Sequence, residues 1–79
     1  SADAWYYLGF AQRKMSNLDF AKLFFKQAIK LNNMHLDSLI QLSEITIEQN
    51  DKQEFNKIVN LISKIDEGLA KAYLENNPI

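Results

Sequence analysis

The sequence predicts an all-α protein, five helices stacked as antiparallel pairs in a short right-handed α-solenoid, and three observations carry that prediction. Sliding the chain over itself by 34 residues lays Trp5 on Leu39, Leu8 on Leu42, Gly9 on Ser43 and Asn17 on Asp51. The same shift lays Phe24 and Phe25 on Ile58 and Val59, Ala28 on Ile62 and Leu31 on Ile65. A period of this length with helix–turn–helix content marks a helical repeat array. Apolar residues recur at helical spacing in successive segments. Two Gly and one Pro among 79 residues leave little punctuation for a loop-rich fold.

Helix 1 is expected from about Asp3 to Met15, with the Asp3 carboxylate at its positively polarised start. Its stripe of Trp5, Leu8, Gly9, Gln12 and Met15 points to a buried seam. Gly9 inside a helix costs about 1 kcal/mol against Ala. Close approach of a second helix would offset that, with Ala21 as the natural partner. Ser16-Asn17 breaks the pattern, and Ser16-x-x-Asp19 resembles a capping box. Helix 2 then runs to about Leu31, with Ala21, Phe24, Phe25, Ala28 and Leu31 inward and Lys22, Lys26 and Lys30 on its outer face. Asn32-Asn33 suits left-handed or capping geometry and ends it.

Helix 3, about Met34 to Gln49, carries Leu36, Leu39, Ile40, Leu42, Ile45 and Ile47. An apolar surface wider than one stripe belongs to a helix flanked on several sides, so helix 3 is placed at the centre. Asp51-x-x-Glu54 opens helix 4, which runs to about Lys64 with Phe55, Ile58, Val59, Ile62 and Ile65 inward. Asp66 caps a fifth helix, Glu67 to about Asn76, and Pro78 follows its end. The 34-residue shift puts Ala70 on Leu36 and Tyr73 on Leu39 before the pattern fails at Asn76, so helix 5 reads as a closing helix or a truncated third repeat. The organisation is one domain, 1–79, with repeats at 2–33 and 34–65 and the last helix at 66–76. A start at Ser1 rather than Met reads as a piece of a longer protein.

Composition excludes several classes of function. With no Cys, neither a disulfide framework nor a thiolate metal site can form, which fits a cytoplasmic setting. A net charge of −1 argues against a general nucleic-acid binder. No apolar run approaches the ~18 residues of a membrane span. Gly9 and Gly68 stand alone, so no phosphate-cradling loop exists. The single His35 near a helix start reads as a solvated residue, and Ser38 and Ser43 lack a His at helical spacing to activate them. No enzyme, cofactor or metal is expected. The Lys22, Lys26, Lys30 stripe reads as a solubilising convex face.

At Trp5-x-x-Leu8-Gly9 followed by Ala21-x-x-x-Phe25-x-x-Ala28, the chain resembles the tetratricopeptide repeat family. Gln12 replaces the family's Tyr, and Asn33 stands where Pro is usual. In the second repeat Phe55 and Ile62 take the small-residue places, so the helices there must stand wider apart or slip in register. The resemblance implies a protein–protein interaction module that binds a peptide or partner helix on a concave face lined by the first helix of each repeat.

On that face one column is Asp3, Tyr6, Phe10 and Arg13, and the second is Asp37, Ile40, Glu44 and Ile47, with Glu48 at its edge. Together they make a groove with an aromatic wall, an aliphatic wall and acidic punctuation, suited to an apolar ligand with a basic residue beside it. Relatives that clamp a C-terminal carboxylate use Lys and Asn where this chain has Tyr6, Phe10, Ile40 and Glu44, so the resemblance does not extend to carboxylate capture. Tyr6 and Phe10 are the expected hot spot. Two other readings stand beside it: these aromatics pack against a missing repeat, or they cover helix 3 or 5. Self-association, or service as a regulatory appendage of an enzyme domain elsewhere, are the alternative functions.

Overall fold

The computed structural model describes residues 1–77, so the expected Pro78 punctuation lies outside the described residues. Five helices follow in order: α1 Ala2–Lys14, α2 Leu18–Leu31, α3 Leu36–Glu48, α4 Lys52–Ser63 and α5 Glu67–Asn76. The Ser1, Asp51 and Asp66 side chains accept the N–H groups of Ala4, Glu54 and Leu69 at 3.2, 3.2 and 3.0 Å, satisfying donors that a helix start leaves orphaned. None of the helices is long and apolar enough to cross a membrane.

The two turns within the repeats are the same device used twice. Ser16 and Asn50, 34 positions apart, both take positive φ, at 65° and 55°. After each, the chain closes a Schellman motif. Asn17 N–H donates to the Gln12 carbonyl and Ser16 N–H to Arg13, both at 2.9 Å. Asp51 N–H donates to Thr46 at 2.9 Å and Asn50 N–H to Ile47 at 3.1 Å. The expected capping box at Ser16 is therefore corrected: Ser16 ends α1 in a left-handed conformation, and Asn17 is the N-cap of α2 without a side-chain cap bond. Between the repeats, Asn32 is extended rather than left-handed, and its side chain accepts the Met34 N–H at 3.1 Å. That turn delays the start of α3 from Met34 to Leu36.

Packing inside the first repeat rests on Gly9. A Cβ built there would lie 2.8 Å from two ring carbons of Phe25, so the residue that needs the glycine is Phe25 and not Ala21. Phe25, Ala21 and Ala28 are wholly buried. The second repeat keeps the 34-residue register, since Phe55, Val59 and Ile62 are buried at the corresponding places. With Phe55 and Ile62 where the first repeat has alanines, α3 and α4 pack less closely than α1 and α2. Wider spacing, not a register slip, accommodates them.

A single core runs from α2 to α5 through Phe25, Leu39, Leu42, Ile45, Ile62 and Ala70, and α3 lies at its centre as expected. The α1 seam is only partly so. Trp5 is half-buried with its ring 5.7 Å from Phe24, but Leu8 is 50% exposed and Met15 65% exposed. Leu31, expected inward, is exposed as well. None of the described helices covers these side chains.

The basic stripe is also not free. Lys22 Nζ donates to Gln49 Oε1 at 2.9 Å, and Lys26 pairs with Glu54 at 3.3 Å, so two of its lysines join the repeats.

Two substitutions test these turns and seams. Gly9→Ala should destabilise by about 1–3 kcal/mol, because the overlap with a buried ring outweighs the helix propensity gained. Ser16→Gly should instead stabilise by about 0.5–1 kcal/mol by removing the left-handed strain. Urea midpoints at unchanged slope read both. A more stable Gly9→Ala or a less stable Ser16→Gly would contradict this account.

Candidate functional site

The two columns predicted from sequence lie on α1 and α3, and the structure ties them together at two points. At one end is His35. Far from being solvated, it is buried, caps α3 and stacks 5.5 Å from the Tyr6 ring. Its Nε2 lies 2.6 Å from Asp3 Oδ1, and its Nδ1 lies 2.9 Å from Ser38 Oγ. A carboxylate can only accept, so Nε2 carries the proton, and Nδ1 accepts from the Ser38 hydroxyl.

This corrects the expectation that Ser38 has no His within reach, because His35 stands three residues before it. A Ser–His–Asp chain suggests nucleophilic chemistry, but Ser38 is fully buried and its Oγ cannot meet a substrate carbon. The arrangement joins the first turns of α1 and α3. Among the described residues no group of three His, Cys, Asp or Glu is placed to hold a metal ion.

At the other end is Arg13. Its Nη1 donates to Gln41 Oε1 at 2.6 Å and to Glu44 Oε1 at 3.0 Å, and its Nη2 donates to Glu48. Burial alone would lower the guanidinium pKa. The hydrogen bonds and charges of Glu44 and Glu48 outweigh that, and it is held above its ordinary value. Glu44 and Glu48 are therefore not two free acids awaiting a basic ligand. With Arg13 they form a cluster carrying one surplus negative charge.

Between these ties lies the aromatic wall. Tyr6 is half-buried, with its ring 5.8 Å from Phe25, and burial first, then Asp37 and Tyr7, raises its phenol pKa. Phe10 turns further outward, 37% exposed, with Lys14 Nζ 5.3 Å above its ring. Phe10, Arg13, Lys14 and Gln41 surround an open hollow of about 420 Å³. Ile40 of the α3 column is half-buried and does not line this hollow, and Ile47 borders a separate hollow of about 150 Å³ with Thr46, Asn50 and Phe55.

Three participants escaped the sequence reading. Gln41 shares a helix column with Glu44 and Glu48, and that polar spacing opposite an arginine was the available signal. Lys14 had no such signal. Tyr73 of α5 packs edge-on to Phe55 at 6.4 Å. Burial and then Glu44 raise its phenol pKa while Arg13 opposes.

Residues 2–34 match the family model described as tetratricopeptide repeat. No curated protein and no solved structure matches the chain. Tetratricopeptide repeats are in general protein–protein interaction modules and are typically non-catalytic. The matched stretch covers both α1 and α2, so this first pair is similar to a tetratricopeptide repeat, and the five helices form an all-α helical repeat array.

Proposed function

We propose that this chain is a non-catalytic interaction module whose concave groove holds an apolar segment of a partner protein, extended or helical, with a basic residue beside its apolar anchor. The observation that supports this most is the open hollow at Phe10. It combines an exposed aromatic face with the polar rim of Arg13, Lys14 and Gln41. Apolar anchors that fill such hollows carry most of the energy of small interfaces.

The preference for a basic neighbour rests on Asp37, because Lys14 at the hollow offsets the surplus charge of the Arg13 cluster. Asp37 is exposed beside Tyr6, and the Arg13 cluster leaves one negative charge in surplus. Because Arg13 already holds both glutamates, the ligand's cation is drawn towards Asp37 rather than into the cluster. Long-range attraction of this kind sets encounter rate and orientation more than affinity. Nucleic acid fits poorly, since Lys22 and Lys26 are engaged between the repeats.

Selection from a displayed random-peptide library tests the reading. Recovered peptides should share an aromatic or aliphatic anchor next to Lys or Arg. Phe10→Ala should weaken them about 10- to 30-fold with unchanged helical circular dichroism. Tyr6→Ala is the poorer probe, because Tyr6 also packs on Phe25 and His35. Acidic consensus peptides, or equal binding by Phe10→Ala, would refute the proposal.

A further inference from the structure

Every polar side chain that lines the hollow at Phe10 has hydrogens to give. Arg13 and Lys14 can only donate, and the Gln41 amide is turned to do the same. Its Oε1 accepts from Arg13 Nη1 at 2.6 Å. Because a guanidinium cannot accept, this bond fixes the amide's orientation and leaves its NH2 group as the free end. Among the described residues, neither that NH2 group nor the Lys14 ammonium meets an acceptor. Glu44 and Glu48 bond to Arg13 and do not line the hollow. An aromatic wall with a donor rim suits a group that is apolar in body and ends in acceptors. Net charge there is close to zero, so contact hydrogen bonds select the acceptor, and those to a carboxylate are the stronger.

The opposite charge stands at the other end of the same column. Tyr6, Phe10 and Lys14 follow at every fourth residue of α1 and share one face. The Tyr6 and Phe10 rings are 6.1 Å apart, and Lys14 Nζ is 5.3 Å from the Phe10 ring. Asp37 is close enough to Tyr6 that its charge adds to burial in raising the phenol pKa. Asp3 is held by His35, whereas Asp37 is exposed and, among the described residues, joins no ion pair. The face therefore runs from a free carboxylate, across two rings, to a free ammonium. From Tyr6 to Lys14 the helix rises about 12 Å. An extended chain covers that length in about four residues and a helical one in about eight.

We infer that this face takes a partner segment with a fixed order of charge: a basic residue towards Asp37, an apolar anchor on Phe10, and an Asp or Glu side chain towards Lys14. The acid's carboxylate accepts from the Lys14 ammonium and the Gln41 amide. This charge order rests on the groove reading and sharpens it, since the ligand is balanced in charge rather than only basic. The reverse order sets a base against Lys14 and an acid against Asp37, so like charges oppose the wrong orientation.

The test selects displayed random peptides on the whole chain, each flanked on both sides so that no chain terminus reaches the face. Recovered sequences should carry an acid about four or about eight residues from the base, with the anchor between them. One such peptide with blocked ends is then measured by fluorescence anisotropy. Exchanging its acid for Gln should weaken binding to the unaltered chain about 3- to 5-fold and leave binding to Lys14→Glu unchanged. Exchanging the acid for Lys should restore binding to Lys14→Glu. Sequences without the acid, or with acid and base on one side of the anchor, would overturn the charge order. So would an equal cost of the Gln exchange on both proteins. In either case the groove reading survives if Phe10→Ala still weakens the peptides. Equal binding by Phe10→Ala takes both down.

Discussion

The ring of Phe25 lies on the bare backbone of Gly9, and much of the structure depends on that contact. It lets α1 and α2 approach more closely than α3 and α4, where bulkier side chains fill the seam. It also sets the depth of Tyr6, whose ring packs on Phe25 and on His35. From there the α1 column climbs outward to Phe10. Any loss of that close approach would shift the aromatic wall relative to α3, because interiors packed at crystalline density transmit such displacements.

The joint between the repeats has an apolar middle and a polar border. Leu39, Leu42 and Ile45 supply the middle, and Arg13, Lys22, Lys26 and His35 supply the border. Partly exposed ion pairs contribute little to stability, since solvent screens them and their long side chains lose freedom. Their geometry matters more than their energy. Arg13 reaches three groups on one column of α3, and so defines the rotation of one repeat on the next. The same cluster removes two carboxylates from the free charge of this face of α1 and α3, which makes it less acidic than a count of residues implies.

The Asp3–His35–Ser38 chain illustrates how burial decides chemistry. Its hydrogen bonds have the distances of a nucleophile relay, and its serine has no path to solvent. Two helix starts are tied instead, through a histidine that would otherwise be a poor cap. The groups are satisfied, as buried polar groups must be. The same distances on an exposed hydroxyl would have called for a different account.

Helix number and order, and the starts of α4 and α5, were legible in the sequence because they follow from local physics: helical periodicity, Asp51 and Asp66 as caps, and a 34-residue register that persists even where Ala28 becomes Ile62. The pairing of the columns on α1 and α3 was legible from the same register. Which member of a column binds its neighbour was not. Arg13 on Glu44 and Glu48, His35 on Asp3, and Lys26 on Glu54 join residues about 30 positions apart, and each depends on side-chain reach between helices. Nor could the stripe through Leu8 and Met15 reveal its exposure, since periodicity names a face without naming what covers it. The sequence by itself determined the helices, the caps of α4 and α5, and the 34-residue repeat. The tertiary structure decided which polar groups pair and which apolar faces stay open, because burial is a property of neighbours and not of spacing.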